Sequence, residues 1–274
     1  MSGAEAIRVS PGWLALREPA DAEARACDLA EALERALPVR GSRVIHDLGC
    51  GTGAMGRWLA PLLTGPQHWT LHDRDEDLLA RAVADVPGPA ADGAPVTVEA
   101  MRTDIARLHS DDLAGATLIT ASALLDLLTG EELDRLAGLC VGAGCPILLT
   151  LSVVGRVEMA PADPLDRRLA AAFDAHQRRT TKRGRLLGPD AVEFAVETFR
   201  RLGAEVVVRP SPWRLGPAHS DLAAAWFSGW VEAACEQEAE LAGERDPYSR
   251  RRLEQAGAGK LAVNVGHADL LVLP

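Results

Sequence analysis

The segment HDLGCGTGAMG, residues 46–56, constrains this chain more than any other stretch. A short apolar run, Arg43 to Leu48, enters the alternating glycines Gly49, Gly51 and Gly53 and leaves as helix-type sequence from Ala54 to Leu63. Residues without Cβ let a strand turn sharply into a helix. They also let a ligand lie against bare backbone, under the free N–H groups of the helix start. Asp73 follows at the end of the next apolar run, 20 residues beyond Gly53. In nucleotide-binding α/β folds a carboxylate at about that spacing holds ribose hydroxyls.

Strand-like and helix-like stretches alternate around this loop. Strands are expected at Trp69 to His72, Val96 to Met101, Ala116 to Ser122 and Ile147 to Val153, then at Glu205 to Arg209 and Ala268 to Leu273. Between them, Asp75 to Val86 reads as a charged helix. Thr129 with Glu132 forms a capping box that starts another. Ahead of the loop, residues 21–37 place Ala26, Leu29, Ala30, Leu33 and Leu37 on one face, which predicts a single amphipathic helix. After Val153 the alternation loosens. Helices are expected from Asp163-Pro164 to about Arg178, from Pro189 to Leu202, from Ser220 to about Leu241, and from Asp246-Pro247 onward, with a basic link, RRTTKRGR, at 178–185. The expected fold class is α/β: a single domain with a Rossmann-like sheet of about seven mostly parallel strands, helices on both faces, and helical insertions late in the chain. Residues 1–40 form an N-terminal helical segment, 41–153 the ligand-binding core, and 154–200 and 214–260 the insertions.

Bulk properties narrow the function classes. The net charge of −10 opposes nucleic acid as the main partner, since phosphate binding calls for a basic face. Leu136 to Gly155 carries no charge, but Gly138, Gly142, Gly144 and Pro146 divide it into a helix end, a turn and a buried strand, so no membrane span is expected. The five cysteines form no CxxC pair, which suits reduced thiols in a cytoplasmic protein without a metal site. The N-terminus has no basic head and apolar run that would mark it for export. Two lysines against abundant arginine, with many Ala and Gly, suggest a GC-rich bacterial genome.

Gly51, Gly53 and Gly56 also satisfy the nicotinamide GxGxxG pattern, but three features oppose a dehydrogenase. Asp47 before the glycines would repel a pyrophosphate and suits a cationic sulfonium amino acid. Asp104, in RTDIARL after the third strand, is placed to accept from an adenine amino group, with Ile105 against the ring. The one tyrosine, Tyr248, has Arg252 rather than lysine four residues on. With these features the chain resembles the class I S-adenosylmethionine (SAM)-dependent methyltransferases, in their small-molecule branch. The resemblance covers residues 41–153, and GHADLLVLP resembles that fold's last, antiparallel strand. It implies SAM as cofactor and a small-molecule methyl acceptor. It further implies that Asp47, Gly49, Gly51 and Gly53 surround the methionine part, Asp73 the ribose, and Asp104 and Ile105 the adenine, with Ser122 lining the transfer site. In such proteins an N-terminal segment folds over the cofactor, so Arg17 or Arg25 becomes a candidate partner for its carboxylate, with a solvated helix face as the alternative for each. A nicotinamide oxidoreductase and a SAM-binding protein without catalysis are the alternative functions, and an RNA methyltransferase is opposed by the charge.

Methyl transfer needs alignment and sometimes a base. ASALLDLLT, residues 121–129, has no NPPY-like run and no cysteine nucleophile. Asp126 is its nearest titratable group, either a base or a surface or capping carboxylate. His46 reads as a core residue, and His72 as packing near the ribose acid. His176 and His219 lie in the late insertions, expected to roof the acceptor, and are the histidine candidates for a base. Trp226 and Trp230 share a helix face, as pocket lining or as core. Arg178, Arg179, Lys182 and Arg183 either recognise an anionic acceptor or form a solvated loop.

Overall fold

In the computed structural model, which describes residues 9–39 and 41–274, the chain forms one large mixed sheet covered by helices. The elements run α1 (Pro11–Ala24), α2 (Cys27–Ala36), β1 (Arg43–Leu48), α3 (Ala54–Leu59), β2 (Gln67–Asp73), α4 (Glu76–Ala84), β3 (Val96–Arg102), β4 (Leu118–Ser122), α5 (Gly130–Gly142) and β5 (Ile147–Ala160). They continue with α6 (Asp166–Gln177), β6 (Thr180–Thr181), β7 (Gly184–Arg185), α7 (Ala191–Arg201), β8 (Glu205–Pro210), β9 (Trp213–Leu215), α8 (Ser220–Gln237), α9 (Ala242–Gly257) and β10 (Ala262–Leu273). The main sheet has the order β3-β2-β1-β4-β5-β10-β8, with β9 added beside β10 as an eighth strand. Strands β1 to β5 are parallel, and β10 runs antiparallel to β5, β8 and β9. The chain reverses direction across the sheet between β1 and β4, and the crevice beyond the carboxyl ends at such a switch is where ligands of open α/β sheets bind.

Alternation along the strands builds a core on each face. Ile45, Trp69, Leu71, Leu118 and Leu148 pack against α2, α3 and α4 on one side. Leu48, Ile119, Ala121 and Leu149 pack against α5 and α7 on the other. Helix α7 therefore belongs to the helical layer of the sheet, not to the insertion expected at 154–200. A third core has no counterpart in the sequence reading. Strand β5 runs ten residues past Thr150, the last of its residues paired with β4, and pairs with β10 from Ala160↔Ala262. This ribbon rises beyond the carboxyl edge, and α6, α8, α9 and β9 pack on it around Leu169, Phe227, Trp230 and Tyr248.

Several boundaries differ from expectation for local reasons. The predicted helix 21–37 breaks at Arg25, whose backbone is extended (φ −57°, ψ 140°), because the next N–H, of Ala26, is taken by Asp269. Asp246-Pro247 does not start a helix: Pro247 lies inside α9, where it costs one intrahelical bond. The basic link at 178–185 is the β6–β7 hairpin. Among the described residues no helix is long and apolar enough to cross a membrane.

Candidate functional site

The glycine loop sits at the carboxyl end of β1, and Gly49, Gly51 and Gly53 all have left-handed backbone (φ +68°, +56° and +85°). Side chains there would also collide. A Cβ on Gly49 would lie 3.3 Å from Leu124 Cδ1 and 3.4 Å from Ile105 Cδ1, and one on Gly51 3.2 Å from Leu14 Cδ1. Ile105 therefore stands over the loop, and α1 covers the loop from above through Leu14. Glu18 of α1 accepts two hydrogen bonds from Arg57 of α3, each 2.7 Å, which pins the helix in place. Asp73 is half-buried at the end of β2 and accepts from Gly51 N and Asp75 N, both at 2.9 Å. Asp104 is exposed and accepts from Ala106 N at 3.1 Å.

Beneath the loop lies a buried polar cluster on the face shared with α2 and α3. Asp47, 1% exposed, accepts from Thr120 Oγ1 at 2.8 Å, while its Oδ2 has no partner among the described residues. Burial raises its pKa to about 7. From the break between α1 and α2, Arg25 reaches in over the Trp58 ring and donates to Ser122 Oγ (3.2 Å) and Thr150 Oγ1 (3.5 Å). Its Nη1 is buried and has no partner among the described residues. Ala123 and Leu151, the residues after Ser122 and Thr150, both have left-handed backbone (φ 51° and 56°). Strain of that kind is held only where the surroundings enforce it, commonly at ligand sites. Here the Leu151 N–H is fixed by Asp269 Oδ1 at 2.8 Å.

The remaining candidates are dispersed. Arg17 is held by Asp21 (2.8 and 3.1 Å) and lies over the Trp213 ring, with Trp13 beside it. It takes no part in the cluster that Arg25 enters. Asp126 is half-buried on the short turn after β4, and burial raises its pKa to about 6. His219 pairs with Glu23 at one end of α8, while His176 pairs with Glu236 near the other. At 1.5 Å per residue those ends stand about 25 Å apart, so the two histidines cannot serve one reaction centre. Trp230 is buried among Trp226, Phe173 and Phe227, the core role for that pair. His46 and His72 contact each other through ring nitrogens at 2.9 Å on the opposite sheet face from Asp47, and burial lowers His72 to about 4. Thr150, Trp58 and Leu14 were not singled out from the sequence, where nothing distinguishes them. Asp269 had a signal, as a carboxylate inside an apolar strand. No group of metal-binding side chains occurs among the described residues.

No family profile and no curated protein matches the chain. Solved structures do. A SAM-dependent methyltransferase from Geobacter sulfurreducens, in complex with S-adenosyl-L-homocysteine, is 15% identical, with 97% of this chain and 98% of that chain covered and a TM-score of 0.45. The cyclopropane synthase MmaA2 from Mycobacterium tuberculosis is 13% identical, with coverages of 95% and 94% and a TM-score of 0.48. A putative sarcosine dimethylglycine methyltransferase from Galdieria sulphuraria is 13% identical, with coverages of 88% and 83% and a TM-score of 0.43. Likeness at this level transfers no residue role.

Proposed function

We propose that the protein is a SAM-dependent methyltransferase acting on a small molecule. The observation that carries this is a pair of buried groups of opposite charge beneath the glycine loop, Arg25 Nη1 and Asp47 Oδ2, which have no partner among the described residues. Leaving either unsatisfied costs about 1–3 kcal/mol or more. An amino-acid zwitterion satisfies both, its carboxylate at Arg25 and its ammonium at Asp47. A pyrophosphate would satisfy the arginine alone and be repelled by the aspartate. Asp73 and Asp104 supply acceptors for ribose hydroxyls and an adenine amino group, and Ile105 an apolar surface for the ring.

When bound, SAM supplies a methyl group already activated by its sulfonium. The chain's own work is alignment. Gly51 and Gly53 admit the ligand against backbone, Ser122 and Thr150 hold the Arg25 guanidinium, and α1 over the loop excludes water. Calorimetric titration with S-adenosylhomocysteine (SAH), with 5′-methylthioadenosine (which lacks the amino-acid group) and with NAD tests the reading. SAH should bind, NAD should not, and Arg25→Met should weaken SAH at least tenfold while leaving methylthioadenosine unchanged. Tight NAD binding, or no SAH binding, would overturn it.

A further inference from the structure

Ser122 and Thr150 are the last paired residues of β4 and β5, so their side chains stand side by side on one face of the sheet. Arg25 donates to both, through Nη2 to Ser122 Oγ at 3.2 Å and through Nε to Thr150 Oγ1 at 3.5 Å. The two hydroxyls are also bonded to each other, Thr150 Oγ1 to Ser122 Oγ at 3.1 Å. A guanidinium only donates, so each hydroxyl oxygen serves it as an acceptor. One of the two hydroxyl protons closes the bond between Ser122 and Thr150. The other has no acceptor among the described residues. Thr150 is 1% exposed, whereas Ser122 is half-buried. A fully buried proton without an acceptor is costly, so Thr150 donates to Ser122 and the spare proton belongs to Ser122.

The arginine is left open on one side in the same way. The Trp58 ring of α3 covers one face of the guanidinium, 5.2 Å from Cζ to the ring centroid. The Nε and Nη2 edge is taken by the two hydroxyls, and Nη1 is buried without a partner among the described residues. The cluster therefore ends in two uncommitted donors, Arg25 Nη1 and the Ser122 hydroxyl. Two neighbouring donors, one of them cationic, match the two oxygens of a carboxylate. The spacing to Asp47 agrees. Thr120, which donates to Asp47, lies two residues before Ser122 on β4 and on the same face, about 7 Å away. An amino-acid zwitterion spans that distance with a hydrogen bond at each end.

We propose that Ser122 binds the cofactor directly: its hydroxyl donates to the amino-acid carboxylate beside Arg25 Nη1. This rests on the methyltransferase reading and gives Ser122 a role beyond support of the arginine. Thr150 is the positioning residue, since its donation to Ser122 Oγ leaves the Ser122 proton for the ligand. A ligand with the adenosine and the ammonium but no carboxylate leaves both donors unsatisfied, so the cluster selects for the carboxylate.

The test is calorimetric titration with SAH and with decarboxylated SAH, which keeps the adenosine and the ammonium. The parent should bind SAH at least tenfold more tightly. Ser122→Ala should weaken SAH about fivefold and leave decarboxylated SAH unchanged, which also shows that the variant is folded. Ser122→Thr, which restores the hydroxyl, should recover most of the loss. With Arg25→Met already in place, Ser122→Ala should still weaken SAH about threefold, because the hydroxyl acts on the ligand itself. Thr150→Val removes the directing hydroxyl and keeps both donors, so it should cost SAH less than Ser122→Ala does. The proposal is overturned, and the cofactor reading stands, if Ser122→Ala changes nothing, if its effect vanishes in the Arg25→Met background, or if Thr150→Val costs as much. If SAH and decarboxylated SAH bind the parent alike, no carboxylate is recognised, and the proposal falls together with the role of Arg25. If SAH itself fails to bind, the cofactor reading falls first.

Discussion

Asp269 Oδ2 accepts a hydrogen bond from the backbone N–H of Ala26 at 2.8 Å, across 243 residues of sequence. The other oxygen accepts from Leu151 N at 2.8 Å and from Ser211 Oγ at 2.5 Å. One buried carboxylate thus fixes the break between α1 and α2 and the left-handed residue at which β5 passes beyond β4. Both positions adjoin the Arg25–Ser122–Thr150 cluster. Asp269→Ala should therefore do more than destabilise. Three donors lose their acceptor, a loss of about 2–4 kcal/mol that lowers the melting temperature by roughly 5–15 °C. Arg25 also loses its placement, so SAH affinity should drop further than that of 5′-methylthioadenosine. Equal losses for the two ligands would make Asp269 a purely structural residue.

Asp47 makes a pH prediction whose sign is opposite to the common carboxylate case. Burial raises its pKa to about 7 in the folded chain, so between pH 4 and 7 the folded state binds a proton that the unfolded state has lost. Its contribution to stability is full below about pH 4 and is lost as pH rises toward 7, a change of ~4 kcal/mol at the limit. His72, lowered to about 4, works the other way over pH 4 to 6.5 and masks the trend in the parent protein. Asp47→Asn isolates it: urea unfolding should show the variant gaining stability relative to the parent between pH 5 and 8. A ligand ammonium favours the ionised carboxylate, so SAH affinity should rise over the same range in the parent and not in the variant. Parallel stability curves would mean that Asp47 titrates normally.

Local chemistry made the glycine loop, the capping box at Thr129 and Glu132, and the order of β1 to β5 legible in the sequence. Each depends on residues within a few positions of one another. The α1–α2 break was not legible, because the apolar spacing from Ala26 to Leu37 continues undisturbed and the break is set by Asp269. Nor was the third core. The expected strand stops at Val153, whereas the ribbon continues to Ala160 because β10 pairs with it from the far end of the chain. Arg17 and Arg25 are indistinguishable in sequence, since each is an arginine on a helix. Only the break at Arg25 turns one of them under the loop.

The seat of α1 on the glycine loop predicts how the two are coupled. Gly51→Ala forces a side chain into left-handed backbone and to 3.2 Å from Leu14 Cδ1, so either the loop or the helix must shift. Glu18→Ala frees the helix from Arg57 without touching the loop. Gly51→Ala should weaken SAH at least tenfold, and Glu18→Ala should raise its dissociation rate several-fold, as stopped-flow fluorescence would record. Deleting residues 1–20 should weaken SAH too, and should also lower the melting temperature, because Ala20 and Trp13 pack on the third core. If the deletion binds SAH normally, α1 is not part of the site.

Gly155 joins the sheet to the layer above it. It has left-handed backbone (φ +68°), and a Cβ there would lie 2.8 Å from Asp174 Oδ2 and 2.9 Å from Pro189 Cβ. Asp174 belongs to α6, and Pro189 follows the hairpin that carries Arg179. Alanine at this position cannot be absorbed by a rotamer change alone, because Pro189 is rigid. The expected cost is about 2–4 kcal/mol from strain and overpacking together. Displacement should fall on α6 and the hairpin, while the glycine loop, on the far side of β4, keeps its geometry. Gly155→Ala should therefore bind SAH with parental affinity and be cleaved faster by trypsin within residues 178–185. If SAH affinity falls in step with the rise in trypsin cleavage, the loop and the hairpin do not move independently.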